Sequence, residues 1–564
     1  MRTNYKKQIQ YHTFKAYTTL KVYSAFIAYT TCLSSLLLTS GCTDNFENIN
    51  TNPTGLESQQ IQLKSLMQEA QLSIFYNQSN GNWEYQLIQN LNADLYSGYL
   101  AVPTPFASNN NNSLYYMVDG WNSYTLNFGL LHILKPCATM LNTQTSDDYV
   151  AIAKILRVAG MSKVVETYGP IPYSKAMKGG LFVEYDDEAT IYRSFFEDLK
   201  DASDKLTAFV KANGNQPDRL GFDLMCDKSH TTWLQFANTL RLRLAMRIVK
   251  ADPSLARTEA EAAVANPYGL LENANVEVKN ANTRNPQMVI CRDYNDCAIG
   301  ASFESILKGY KDPRLAKIAL PVGWMNKGDI LDVNGNPTLS IGKIYGVRNG
   351  FAVPSAGEYK MYSIPMVSTD GSNPMSTDYP LPVMKRAESF FLRAEGALRG
   401  WNMGGTAEQL YKEGVRVSFE DYKVGSDYNT YIEGTTLAAN YVDPHNPRLN
   451  IQAMNNVPVK FMTNGTNEQK LQQIITQKWI AGFPEGMNAW SEFRRTGYPK
   501  LFPIVENRSN YPELTNLGIR RLNFCQDEKN NNPKGYQSGL EILKARGGDN
   551  IATRLWWDVN KGNF

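Results

Sequence analysis

Apolar residues recur at three- and four-residue spacing in separate windows along the chain, and each window predicts an amphipathic helix. Ile61, Leu63, Leu66, Met67 and Ala70 share one face of the first. Ile152, Ile155, Leu156, Ala159 and Met161 share a face of the second. It is expected to end near Tyr168-Gly169-Pro170, because proline cannot continue a helix. Phe195, Leu199, Ala202 and Leu206 mark a third over 191–210, and 233–249 reads as a fourth. Further helices are expected over 390–398, 408–422, 471–481 and 487–495. Such lengths with short breaks suit antiparallel pairs, so the expected class is mostly α, a scaffold of helix pairs. The helix–turn–helix rhythm is comparable to that of tetratricopeptide repeats, although their roughly 34-residue signature is absent.

Two stretches break this rhythm. Residues 81–125 are dense in Asn, Tyr, Trp and Gly, and 266–384 combine Pro, Gly, Asn and Tyr with short runs that suit a few β-hairpins. Long irregular segments are usually functional or disordered, and their aromatic content disfavours disorder. Function is therefore expected in loops carried by a rigid helical frame.

Composition narrows the classes. The chain has 564 residues, 43% hydrophobic and 20% charged, enough apolar content for a sizeable core. Its 57 basic and 54 acidic residues give a formal charge of +3, which excludes nucleic-acid binding through bulk charge. At the N-terminus Arg2, Lys6, Lys7, Lys15 and Lys21 precede an apolar run from Ala25 to Leu38, the pattern of an export signal. The run is too short and too hydroxylated to span a bilayer. Leu38-Thr39-Ser40-Gly41-Cys42 follows and looks like a bacterial lipobox, with Thr39 where many carry Leu. The expected organisation is a lipoprotein signal over 1–41, a lipidated Cys42 with a polar tether over 42–60, and one domain over 61–564. A variable loop region is expected at about 266–384. Beyond the signal, five cysteines remain, so not all can pair internally. Cys291 and Cys297 could close a small loop, but two free buried thiols are the favoured reading.

Catalytic chemistry finds little support. His132, His230 and His445 sit in no nucleophile or zinc motif, no phosphate loop occurs, and no cofactor or metal is expected. Asp147-Asp148 and Asp186-Asp187 read as solvated helix starts, and the oxygen-rich Asp329–Asn336 segment as an Asn-Gly hairpin turn. The aromatic loops are the better signal. Trp83, Tyr85, Tyr96, Tyr99, Phe106, Tyr115, Tyr116 and Trp121 accompany Asn109–Asn112, and Trp324 joins Tyr345, Arg348, Tyr359 and Tyr362. Rings can stack on the C–H face of a sugar or on a peptide side chain, and Asn amides donate and accept in pairs. Tyr96, Tyr99, Tyr115, Trp121 and Trp324 are taken as candidate ligand contacts. Any one ring more often packs in a core.

Two segments carry a resemblance. Tyr168-Gly-Pro-Ile-Pro-Tyr173-Ser-Lys-Ala176, and Gln477-Lys-Trp479-Ile-Ala through Asn488-Ala-Trp490-Ser-Glu492-Phe-Arg494-Arg495-Thr-Gly-Tyr498-Pro499, resemble segments of the SusD/RagB family of Bacteroidetes outer-membrane lipoproteins. Asn50-Thr51-Asn52-Pro53 after Cys42 fits the same family. Both long segments read as scaffold, with Trp479, Trp490 and Phe493 buried and Glu492, Arg494 and Arg495 paired. The resemblance implies tetratricopeptide-like helix pairs supporting variable loops. It also implies a lipid-anchored position on the outer membrane facing the exterior. The expected role is capture of oligosaccharides, or in some members peptides, for a SusC-like TonB-dependent transporter, without bond cleavage. It transfers no binding residue. A surface glycan hydrolase and a protein-only helical-repeat adaptor are the rival classes.

Overall fold

Helix starts are set by capping residues that precede the apolar pattern. Asp187 accepts a hydrogen bond from the Thr190 amide and Ser229 from that of Thr232, while Thr406 with Gln409 and Thr466 with Gln469 form reciprocal capping boxes. The helices accordingly begin several residues before their apolar stripes. In the computed structural model, which describes residues 63–74, 82–279, 284–323, 342–366 and 380–564, the main ones are α1 (Leu63–Ser73), α2 (Asp147–Tyr168), α3 (Glu188–Asn213), α4 (His230–Arg247) and α5 (Pro253–Val264). They continue with α6 (Ala387–Leu398), α7 (Ala407–Asp421), α8 (Asn467–Gly482), α9 (Gly486–Thr496) and α10 (Pro533–Lys544). All described residues belong to one compact unit, Gln62–Phe564. Cys42, the tether, Trp324 and the Asp329–Asn336 segment lie outside the described residues.

Consecutive helices pair. Lys205 meets Asp147, Lys154 meets Asp201 and Arg157 meets Asp198, so numbers rise on α2 as they fall on α3, and the two are antiparallel. Arg386 to Asp421 and Phe391 against Gly414 show the same for the N-terminal turn of α6 with α7. α4 packs on α3, α5 and α6, and α6 also packs on α8. Sequence periodicity misses the helical stretches over 83–95 and 119–143. Their π-turns at Gln86–Asp94 and Leu130–Leu134 shift the apolar face out of a regular period.

Among the described residues, four short strands serve as clasps. β1 (Leu100–Ala101) pairs antiparallel with β3 (Ala298–Ile299), tying the first aromatic-rich region to the second. β2 (Val276–Val278) pairs with β4 (Leu381–Met384). The clasp at Gly300 is so close that a Cβ there would lie 2.5 Å from the Gly98 carbonyl oxygen. Cys291 and Cys297 are joined as a disulfide with Cα atoms 4.7 Å apart, so they are not the two free thiols favoured from sequence.

The helices meet around a buried set of charges. Arg247 of α4 reaches Glu166 of α2 at 3.0 Å and Glu492 of α9 at 2.5 Å. Arg243 holds Glu388 and Glu485, and Arg495 holds Glu395 of α6 at 2.7 Å and Glu492 at 2.6 Å. Burial pushes the Glu492 carboxyl up, but Arg495, Lys478 and Arg247 outweigh it and hold it well below the ordinary range. Arg494 departs from the expected pairing. Its guanidinium donates to the carbonyls of Glu166 and Arg520 and lies 3.5 Å over the Trp490 ring. Removing one member leaves partners charged and dry, so Glu492→Ala is expected to cost about 3–5 kcal/mol in urea denaturation.

Asp94 behaves in the opposite sense. Burial raises its carboxyl to about 7, against hydrogen bonds from Gln89 and Tyr85 and the more distant charge of Lys163 on α2. The unfolded group titrates near 4, so the contribution of this group is greatest below that pH and is lost as pH rises through 7, by roughly 4 kcal/mol in total. Asp94→Asn is expected to flatten the stability profile between about pH 4 and 7. An unchanged slope would show that Asp94 is not the group responsible.

Candidate functional site

The chain leaves the π-helical stretch Gln86–Asp94 directly onto α8 and α9, and this decides where the first aromatic residues go. Tyr99 is 1% exposed; its hydroxyl donates to the Trp479 carbonyl at 2.5 Å, and its ring lies 5.0 Å from Trp479 and 5.7 Å from Phe303. Tyr96 packs 5.2 Å from the Trp490 ring and 6.0 Å from Tyr115, and its hydroxyl donates to Asn92. Burial drives the hydroxyl pKa values of Tyr96, Tyr99 and Tyr115 up, so all three stay neutral. Tyr96 and Tyr115 border a cavity of 40 Å³, which suits a water or two and is too small for a sugar ring. The structure thus places these three expected ligand contacts inside the frame: Trp479 lies against Tyr99, Trp490 against Tyr96, and Tyr96 against Tyr115.

Other rings of the same region remain open. Trp83 is 44% exposed and stands edge-to-face with half-buried Tyr124 at 5.1 Å. Half-buried Phe106 and Trp121 lie 5.5 Å apart. Trp121 and Tyr124 sit three residues apart in adjoining short helices, Asp119–Asn122 and Tyr124–Gly129. That spacing, the neighbour relation on a helix surface, was the available signal for Tyr124, which sequence reasoning passed over. Tyr116 adds a ring that is 49% exposed.

The four asparagines hold this surface in place. Asn111 caps Ser113, and buried Asn112 links Asn92, Asn122 and the Val118 amide. Asn109 donates to the Val353 carbonyl, and Arg508 donates to the Asn109 carbonyl and the Asn110 side chain. Ala107, Ser108 and Asn109 all take left-handed backbone angles, with φ of 49°, 54° and 62°. Non-glycine residues adopt such angles at a cost, and the anchored amides supply the compensation.

The second predicted cluster is largely core. Tyr359 and Tyr362 are stacked at 5.0 Å with His445 beside them, and Arg348 donates to the Leu449 and Pro503 carbonyls. Tyr345 is half-buried against Tyr362, and Trp324 lies outside the described residues. The acidic pairs are also structural. Asp148 is fully buried on Arg219 and His230, Asp187 caps α3, and Asp186 accepts from the Tyr173 and Ser174 amides. Among the described residues no group of three or more His, Cys, Asp and Glu could hold a metal ion.

A scaffold of paired helices carrying a clasped, ring-bearing loop surface is the class of protein these features define. The chain belongs to the SusD-like family, the Susd and RagB outer membrane lipoproteins, whose model matches residues 45–558. It resembles a chitin-binding SusD homologue from Flavobacterium johnsoniae with 40% identity and a TM-score of 0.82, over 89% of this chain and 100% of that one. SusD homologues from Bacteroides vulgatus (31% identity, TM-score 0.79, 89% of this chain and 98% of that one) and Bacteroides thetaiotaomicron (30%, 0.76, 88% and 98%) share the fold. No curated protein matches the chain. Among the described residues no helix is long and apolar enough to cross a membrane.

The packing separates structural rings from open ones in a measurable way. Tyr99→Ala is expected to lose about 3–5 kcal/mol of stability in urea denaturation, and Trp83→Ala less than about 1 kcal/mol. Equal losses would mean that Trp83 is as enclosed as Tyr99.

Proposed function

We propose that this protein is a glycan-capturing lipoprotein of the cell surface. Acyl chains on Cys42 hold it to the outer membrane, and it passes captured oligosaccharide to a SusC-like TonB-dependent transporter without breaking bonds. The observation that carries the reading is the 40% identity, across all of that chain, with a protein described as chitin-binding. The proposed ligand is accordingly an oligosaccharide of β-linked N-acetylglucosamine.

The exposed rings suit that chemistry. Each pyranose ring offers an axial C–H face, and Trp83 and Trp121 offer apolar faces that such a surface can cover. The exposed Tyr116 hydroxyl beside them can bond to hydroxyl and acetamido groups. Trp121 stays a proposed contact, and Trp324 enters the proposal on sequence grounds alone. Ring contacts of this kind contribute about 0.5–1.5 kcal/mol each beyond burial, so a few give dissociation constants of roughly millimolar to micromolar. Binding in that range releases ligand readily to a transporter.

Isothermal titration of the purified chain with chitin oligosaccharides, other glycans and a peptide digest tests the proposal. Saturable heat is expected with the chitin oligosaccharides, weakened about 2- to 10-fold in each of Trp83→Ala and Trp121→Ala. No new reducing ends should accumulate on long incubation. Heat from peptides alone would overturn the glycan reading, and released sugar would favour a hydrolase.

A further inference from the structure

The C-terminal turn of α9 opens onto a cavity of 300 Å³, separate from the ring surface. Its walls come from α9, from the chain just after α4, and from the segments 516–520 and 554–563. Seven of the lining residues are Lys or Arg, and none is Asp or Glu. That size reaches the lower range of small-molecule pockets, roughly 300–1,000 Å³.

The charges behind the wall do not balance those on it. Arg520 and Arg554 share one carboxylate, Asp558, at 2.5 and 2.8 Å. Arg495 is paired with Glu395 and Glu492, which also serve Arg399, Arg247 and Lys478. Arg494, only 2% exposed, binds carbonyls and the Ser491 hydroxyl but, among the described residues, no carboxylate. The Nε atoms of Arg494 and Arg495 are buried and have no hydrogen-bond acceptor among the described residues. Lys250 is also buried; its ammonium donates to the Lys561 carbonyl at 3.3 Å. Among the described residues no carboxylate lies within ion-pair distance of Lys250, Lys500 or Lys561. The last two are exposed at the mouth. The carbonyl end of α9 contributes a partial negative charge here, smaller than any one of these cations.

We propose that this cavity is a binding site for a small oxyanion, a carboxylate, sulfate or phosphate group, gripped by Arg494, Lys250 and Lys500. Guanidinium and ammonium donors in a partly dry site match such oxygens in charge and geometry. An unpaired buried cation is costly, and an oxyanion returns the missing partner. Lys250 supports the assignment. Burial, together with the facing charges of Arg495, Arg554 and Arg520, lowers its ammonium to about 8 against the pull of Asp558. An anion in the cavity would favour the charged form.

Calorimetric titration of the purified chain with sulfate, inorganic phosphate and glucuronate at fixed ionic strength tests the site. One saturable event per chain is expected with at least one of the three. Its affinity should fall about tenfold in Lys250→Met and again in the Lys500→Ala/Lys561→Ala pair. Sulfate does not titrate in this range, so its affinity should also fall as pH rises through about 8 and Lys250 discharges. The mouth pair is exposed and decides the matter if Lys250→Met fails to fold. No saturable heat from any of the three, or equal affinity in wild type and the mouth pair, would overturn the proposal. The three probes distinguish a carboxylate ligand from a sulfate or phosphate one.

Discussion

The ion pairs joining Glu166, Arg243, Arg247, Glu388, Glu492 and Arg495 lie where water does not reach, so each charge depends on partners carried by other helices. Such pairs add little to stability over apolar packing, but they are intolerant of displacement. A slip of one helix along another would strand several charges at once. Lys478 of α8 joins Glu388 and Glu492, so the network sets the register of α2, α4, α6, α8 and α9. With α9 fixed, Trp490 and Arg494 form a firm floor for the aromatic loop on one side and for the cationic cavity on the other.

The scaffold could be read from the chain because its helices obey a regular period and end at recognisable residues. α2 stops at Tyr168 because Gly169 and Pro170 follow, and α3 starts at a capping Asp187. The π-turn regions could not be read, since one extra residue per turn displaces the apolar stripe. The loop surface was legible as composition and only partly as placement. Trp83, Phe106 and Trp121 stood in the same aromatic run as Tyr96 and Tyr99, and nothing local distinguishes them. The rings that cover Tyr96 and Tyr99 belong to Trp490 and Trp479, almost 400 positions later, with Tyr99 bonded to Trp479 across a separation of 380. The cationic cavity was hidden for the same reason. Its lysines and arginines are spread from 250 to 561 and form no run.

The division of labour that results is physical. Rings with one face in the frame and one in water can meet flat apolar surfaces without reorganising, while the Asn109–Asn112 amides hold the loop rather than a ligand. Changes at Trp83 or Tyr116 leave the ionic network untouched. Changes at Tyr99 propagate directly into α8.

The bonds from Tyr99 to the Trp479 carbonyl and from the Trp479 indole to the Ser97 carbonyl bear on biosynthesis as well as on packing. The early aromatic segment finds its partners only when α8 has been made, 380 residues later. Until then the emerging chain has no finished core to close upon. A chain exported in extended form would gain from this ordering, because the contacts that fix the early segment become available only after α8 has emerged.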